Sequence, residues 1–390
     1  MHTLIPLLSL LPLITAQNLY ISHYSGYVAK ILLSADPTTG NYTLTKGDTL
    51  QTCGGSNRLP AWITLDSSSR TIYCTDENWT GNGSITTISA PTDGKLKELA
   101  TATTPISGVH NALYGKGFLA VAHYSASLIT TWKLPLTNGA KALSTYGPYS
   151  LSGPHPNANR QDAAHPHGVH VDPTGNFLVS PDLGNDLVHV FAIDATSGVL
   201  SPCSSPNIVA GSGPRHATFK KSQTNRTVMY VGSEMGGTVT AFEVKYASES
   251  GAGCPSFNFL QGISSYPKNA TAPNASKLAE VHTSGEFLYV ANRVDKSFNG
   301  NDSLATIALD STGLMTFKQL TNSYGTYPRT FQINKAGDKV AVGDQTTANL
   351  AILERDPKTG LLGSLLATLR IGDAGTPENE NGLSAVVWDE

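Results

Sequence analysis

Histidines, arginines and carboxylates stand in this 390-residue chain at positions that invite chemistry. The densest set is "AAHPHGVHV", which holds His165, His167 and His170. The stretches "GSGPRHATF" and "YVGSEMGG" carry Arg215 and Glu234, and "FLYVANRVD" carries Arg293. Three histidines so close together raise metal ligation first. On one regular strand, however, His165 and His167 share a face while His170 points to the other. Zinc needs convergent ligands, so no metal is expected. His167 suits proton transfer or hydrogen bonding instead, because an imidazole titrates near neutrality. Arg215 and Arg293 suit a carboxylate or phosphate, which a guanidinium grips through parallel N–H donors.

These residues must be positioned by something that repeats. The phrase "HPHGVHVDPTGNFLVSPDLGNDLVHVFAIDATSGVL" reads as strand, turn, strand, turn, strand, and five other segments follow the same plan. Their starts fall roughly fifty residues apart, a period typical of propeller blades. Each unit holds about four strands, counting the one after the G-x-L phrase. The N-terminal "LYISHYSGYVAKILLSADPTTGNYTL" resembles a unit without its first strand, and the C-terminal "NGLSAVVWDE" resembles that strand. The expectation is an all-β, seven-bladed propeller over residues 17–390, its last blade closed by both chain ends. Such closure leaves no exposed sheet edge.

In each blade the first two strands pair antiparallel, so the start of one and the end of the other lie at the same mouth of the channel. That rule collects Glu77, then His110 with His123, His167 with Asp182, and Arg215 with Glu234. It adds Arg293, Arg329 with Asp344, and His23 from the split unit. A share of these serves to hold blades together, since propellers use buried polar ladders for that. Clustered cations at the mouth point to a small anionic ligand.

Composition narrows the setting. Twenty-six Lys and Arg oppose 29 Asp and Glu, which lacks the basic surplus of a nucleic-acid binder. Residues 1–16, "MHTLIPLLSLLPLITA", are a short apolar run ending in small residues, the form of a secretory signal peptide and too short to span a bilayer. No second run of spanning length follows, so no membrane partner is expected. Seven Asn-x-Ser/Thr sequons, at Asn41, Asn78, Asn82, Asn225, Asn269, Asn274 and Asn301, agree with export. The four cysteines fall as two local pairs. In an oxidising compartment Cys53 pairs with Cys74 and Cys203 with Cys254, one of three possible connectivities. A secreted, extracellular or cell-wall-associated glycoprotein, acting as a monomer, is expected.

The set "HPHGVHVDPTGNFLVSPDLGNDLVHVF", "GSGPRHATF", "YVGSEMGGTV" and "FLYVANRVDKS" resembles the seven-bladed lactonase family, from about Leu19 to Trp388. That family includes propeller-type 6-phosphogluconolactonases and fungal-type 3-carboxy-cis,cis-muconate cyclases. The resemblance implies a site of one histidine, two arginines and one glutamate, falling on His167, Arg215, Arg293 and Glu234. It implies no cofactor. The leading expectation is a cycloisomerase resembling the muconate cyclases, with Arg215 and Arg293 binding carboxylates of the substrate. His167 or Glu234 would deliver the proton, which for Glu234 requires a raised pKa. In a 6-phosphogluconolactonase-like hydrolase the same groups would activate water and stabilise an oxyanion. A third alternative is a non-catalytic binding platform, since a fold does not fix a function. A fourth, a calcium-dependent esterase, needs carboxylates such as Glu77, Glu234 and Asp344 to converge.

Overall fold

The computed structural model describes residues 16–54, 59–222, 225–248, 253–379 and 381–390. Apart from Ala16, the signal-peptide segment lies outside the described residues. Seven four-stranded antiparallel sheets follow one another along the chain. Their innermost strands touch in a closed cycle, so the sheets form the seven blades of a propeller. The last blade takes Leu383–Trp388 as its innermost strand and Gln17–His23, Tyr27–Ala35 and Tyr42–Gln51 as the other three. Both chain ends therefore share one sheet, as the split repeat implied.

The repeat is legible because each blade reuses the same local chemistry. In the turns "DPTTG", "DATSG" and "DPKTG", the side chains of Asp36, Asp194 and Asp356 accept backbone N–H groups two residues on, the signature of an Asx turn. The glycines closing two of these turns meet the preceding blade. A Cβ on Gly198 would collide with Phe118, and one on Gly360 with Phe287. Both glycines also have positive φ, a conformation that other residues adopt only with strain. Tyr114 Oη donates to Gly198 O and Tyr289 Oη to Gly360 O, each at 2.6 Å. Turn, glycine and tyrosine thus form a latch between neighbouring blades.

Apolar clusters fill the blade interfaces. One gathers Tyr20 and Val28 from the closing blade with Trp62, Ile63 and Ile72 from the next. Both disulfides form between the local pairs, Cys53–Cys74 and Cys203–Cys254. No described helix is long and apolar enough to cross a membrane.

The closing strand is buried at all six positions. Burying Leu383, Val386 and Val387 contributes about 1.5–3 kcal/mol each, and Trp388 adds to this. Against a typical stability of about 5–15 kcal/mol, deletion of residues 383–390 is expected to abolish cooperative unfolding, read by thermal melting and near-UV circular dichroism.

Candidate active site

The innermost strands do not run straight into the channel mouth. Several begin with a proline followed by a β-bulge, where the pairing register skips a residue. The skipped residues are Ala61 after Pro60, Arg215 after Pro214 and Arg329 after Pro328. His167 stands in the corresponding place: Pro166 bridges Asp182, and the His167 N–H donates to Pro181 O at 2.9 Å. A bulge turns a side chain out of the pleat and frees backbone groups from the ladder. The arginines use those freed groups. Arg215 Nη1 donates to Ala279 O at 2.8 Å, and Arg329 Nη1 donates to Ala61 O and Ser384 O at 3.0 and 3.1 Å. Ala279 and Ser384 lie in the irregular register of the adjacent blade, and Ala61 in that of the blade beyond it.

The result is a cavity of about 390 Å³ to which every blade contributes. His167, Arg215, Glu234, Arg293, Arg329 and Glu77 all line it, so six rim positions collected from strand geometry converge. Glu234 is its electrostatic centre. Arg160 Nη1 lies 2.7 Å from Oε1, and Arg293 Nη2 and Arg215 Nε lie 2.8 and 3.1 Å from Oε2. The Arg215 contact is an ion pair without hydrogen-bond geometry. Beside it, Arg329 faces Glu77 at 3.5 Å, and Tyr24 Oη donates to Glu77 at 2.5 Å.

This environment decides the protonation states. Burial alone would raise the Glu234 carboxyl, but Arg293, Arg160 and Arg215 overrule it and hold the group well below its ordinary value. The raised pKa that proton donation by Glu234 requires is therefore not met: three guanidinium groups keep it ionised. Burial, then Arg215 and His216, push His167 well below 6.5. It is a neutral imidazole at neutral pH, able to accept a proton. Its Nδ1 is buried without a hydrogen-bond partner, and the ring is held edge-on against Tyr124 and His216 at 5.7 and 5.3 Å between centroids. Burial, with Arg293 and Arg329 nearby, draws Arg215 down to about 9, which still leaves it cationic at neutral pH.

Other rim positions do not reach the cavity. His123 is enclosed and shares a hydrogen bond with Thr130 at 2.9 Å. His23 stacks on Tyr27. Asp182 accepts the N–H groups of His165 and Gly184 and pairs with His189, while Asp344 accepts from Asn349. These are the structural share anticipated for buried polar ladders. The carboxylates required of a calcium site do not converge, because Glu77 and Glu234 face arginines and Asp344 is spent on Asn349.

The histidine-rich stretch also differs from a regular strand: only His170–Val171 is regular there. His165 and His167 nevertheless both line the cavity, and His170 turns away towards His110 and His216. Those three rings bring one nitrogen each within 4.8 Å of one another. Their outer hydrogen bonds do not suit a metal. His110 Nδ1 accepts from the Val169 N–H and His170 Nε2 from the Ala217 N–H. A neutral ring that accepts at one nitrogen carries its proton on the other, so both turn N–H groups to the remaining nitrogens. His216 alone, with Nδ1 2.9 Å from Glu280, has the arrangement of a ligand supported by a carboxylate.

Sequence reasoning missed Arg160, Tyr124 and Trp79, all of which line the cavity. Arg160 belongs to residues 147–164, ahead of the repeat unit that begins at His165, and only the clustering of charge in "NANRQD" beside the histidines marks it.

Comparison with known proteins agrees with the propeller fold. The profile of the family described as "Lactonase, 7-bladed beta-propeller" matches residues 18–376. The chain belongs to the seven-bladed β-propeller lactonase family. Among its relatives is the "Probable 6-phosphogluconolactonase" of Arthroderma benhamiae, 27% identical over 366 residues, covering 91% of this chain and 88% of that protein. The 6-phosphogluconolactonase of Bacillus subtilis is 27% identical over 255 residues, with 65% and 67% covered. In fold, this lactonase-family propeller is similar to the periplasmic gluconolactonase of Pseudomonas aeruginosa, with a TM-score of 0.75, 24% identity, and 96% and 99% of the two chains covered. The relatives named here are lactonases, which favours the hydrolytic alternative over the leading cyclase expectation.

Proposed function

We propose that the chain hydrolyses a small anionic sugar-type lactone at the channel mouth, with His167 as general base. One observation carries the reading: His167 is held neutral beside buried arginines, while Glu234, in the same cavity, is held ionised. The site thus offers a proton acceptor and cations facing developing negative charge. A cyclase would need a proton donor, and neither His167 nor Glu234 is poised as one.

In the proposed step His167 takes a proton from water as the water oxygen bonds to the lactone carbonyl carbon. Arg215 and Arg293 face the resulting oxyanion, where fixed charge in a partly dry site is most effective. The tetrahedral species collapses, the ring C–O bond breaks, and the imidazolium returns its proton to the departing alkoxide. The product is an open-chain hydroxy acid. Two disulfides and the terminal apolar run support action in an oxidising compartment outside the cytoplasm, and we extend the proposal to a secreted, N-glycosylated monomer.

The test offers purified protein glucono-1,5-lactone, its 6-phosphate and 3-carboxy-cis,cis-muconate, following acid release and diene absorbance. Acid release from a lactone supports hydrolysis. Loss of the diene alone restores the cyclase, and binding without turnover moves the reading to a binding platform. The pH profile is a second check. A base with its pKa pushed below 6.5 keeps its lone pair above that value and loses it only as pH falls through the lowered pKa. Enzymatic kcat/KM is therefore expected to stay level from neutral pH down through 6.5 and to decline only in more acid solution. A decline centred at 6.5 or above would assign the base to another group.

A further inference from the structure

The three arginines around Glu234 are not equivalent. Arg215 and Arg293 have side chains only 2% and 6% exposed. Each also donates to a backbone carbonyl, Arg215 to Ala279 and Arg293 to Leu278. They are fixed parts of the wall. Arg160 is one-third exposed and comes from the long connection 147–169 between the strands Ser144–Tyr146 and His170–Val171. Connections of that length without regular structure are uncommon in compact domains and usually carry function.

This connection is anchored on both sides of Arg160. Asn157 Nδ2 donates to Gly211 O at 2.7 Å, and Gln161 Nε2 donates to Asp186 at 2.6 Å. Further on, His165 lies flat on Tyr124 with 4.0 Å between centroids. The backbone at Arg160 is therefore held while its side chain reaches over the cavity. Beyond Glu234, it approaches Tyr124 Oη at 3.5 Å. Trp79 stands edge-on to the same tyrosine at 6.2 Å and is 37% exposed at the cavity rim. An exposed indole, a tyrosine and a reachable guanidinium thus adjoin one another above the buried catalytic floor.

We propose that Arg160, Tyr124 and Trp79 form an outer subsite that selects lactones bearing a second, negatively charged group, phosphate or carboxylate, away from the reacting ring bond. The apolar face of the sugar packs on Trp79, and Arg160 exchanges Glu234 for the ligand anion. The exchange is electrostatically balanced. Glu234 keeps Arg215 and Arg293 when Arg160 leaves, and three cations around one carboxylate hold positive charge in excess. Arg160 is therefore a specificity-determining residue, whereas His167 and the buried arginines act on any lactone. This inference rests on the lactone reading above.

The experiment compares kcat/KM for glucono-1,5-lactone 6-phosphate and for the uncharged glucono-1,5-lactone, in wild type, Arg160→Met and Arg160→Lys. The quantity read is the ratio between the two lactones, which cancels losses common to both. Arg160→Met is expected to lower that ratio on the order of 10- to 100-fold, the range of charge-assisted hydrogen bonds. Arg160→Lys should recover part of it, because lysine keeps the charge without the fork. A ratio unchanged in both variants overturns the proposal. Calorimetric titration with glucose 6-phosphate, glucuronate and glucose separates this outcome from failure of the lactone reading, since it needs no turnover. Binding of either charged sugar in preference to glucose, weakened in Arg160→Met, supports the subsite and tells phosphate from carboxylate. Equal binding of all three sugars, or preference unaffected by Arg160, refutes it even where no lactone is hydrolysed.

Discussion

Replacing His167 with Gln is expected to lower kcat on a lactone substrate by about 10²- to 10⁴-fold, the usual contribution of a positioned general base, while the protein stays folded. The side chain is only 7% exposed, yet it has no hydrogen-bonded role in the scaffold, since its Nδ1 meets no partner. Glutamine is neutral, like the native imidazole, and leaves Arg215 and Glu234 without a new charge to accommodate. The loss should therefore fall on kcat more than on KM, because the groups that hold the anion remain. Thermal melting within a few degrees of wild type would confirm that the change is chemical. Retention of most of the activity would assign the base to another group.

Replacing Glu234 with Gln is expected to destabilise the protein by about 3–5 kcal/mol, the cost of leaving a buried charge without its partner. Here two buried arginines and Arg160 lose their common counter-ion at once. Denaturant unfolding measures the loss, and phosphate or sulfate should reverse part of it, since an anion that binds only the folded state stabilises in proportion to the logarithm of its concentration. The pH dependence carries a matching sign. The native carboxyl is depressed below its ordinary value of 4.5, so its stabilising effect is fully present above 4.5 and is lost as pH falls towards the lowered value. The gap between wild type and Glu234→Gln should accordingly be widest near neutrality and narrow below pH 4.5. A variant as stable as wild type, with no response to anions, would show that the arginines do not depend on Glu234.

Strand-turn-strand periodicity is a local property, and "DPTTG", "DATSG" and "DPKTG" specify their own turns through aspartate side chains. Once blades are recognised, antiparallel pairing alone brings first-strand starts and second-strand ends to the same mouth, and the split repeat implies closure by Leu383–Trp388. The four family-matched residues follow from this, and all four line the cavity.

Direction and protonation were set elsewhere. The same end-of-strand rule also selected His23, His123, Asp182 and Asp344, which face inward to the scaffold: they are the last residues of their strands, whereas Tyr24, Glu77, Tyr124, Glu234 and Gln345, one residue past a strand end, line the cavity. Arg160 belongs to no repeat, so only the folded connection 147–169 brings it to Glu234. The pKa of Glu234 depends on three arginines from separate elements, and that of His167 on burial beside two of its neighbours. The sequence by itself determined the propeller, its closure and the residue types at the mouth, because these arise from local pattern and pairing. Only the tertiary structure decided which of those groups meet, and that His167 is held neutral and Glu234 ionised among the arginines, because burial and through-space charge have no signature along the chain.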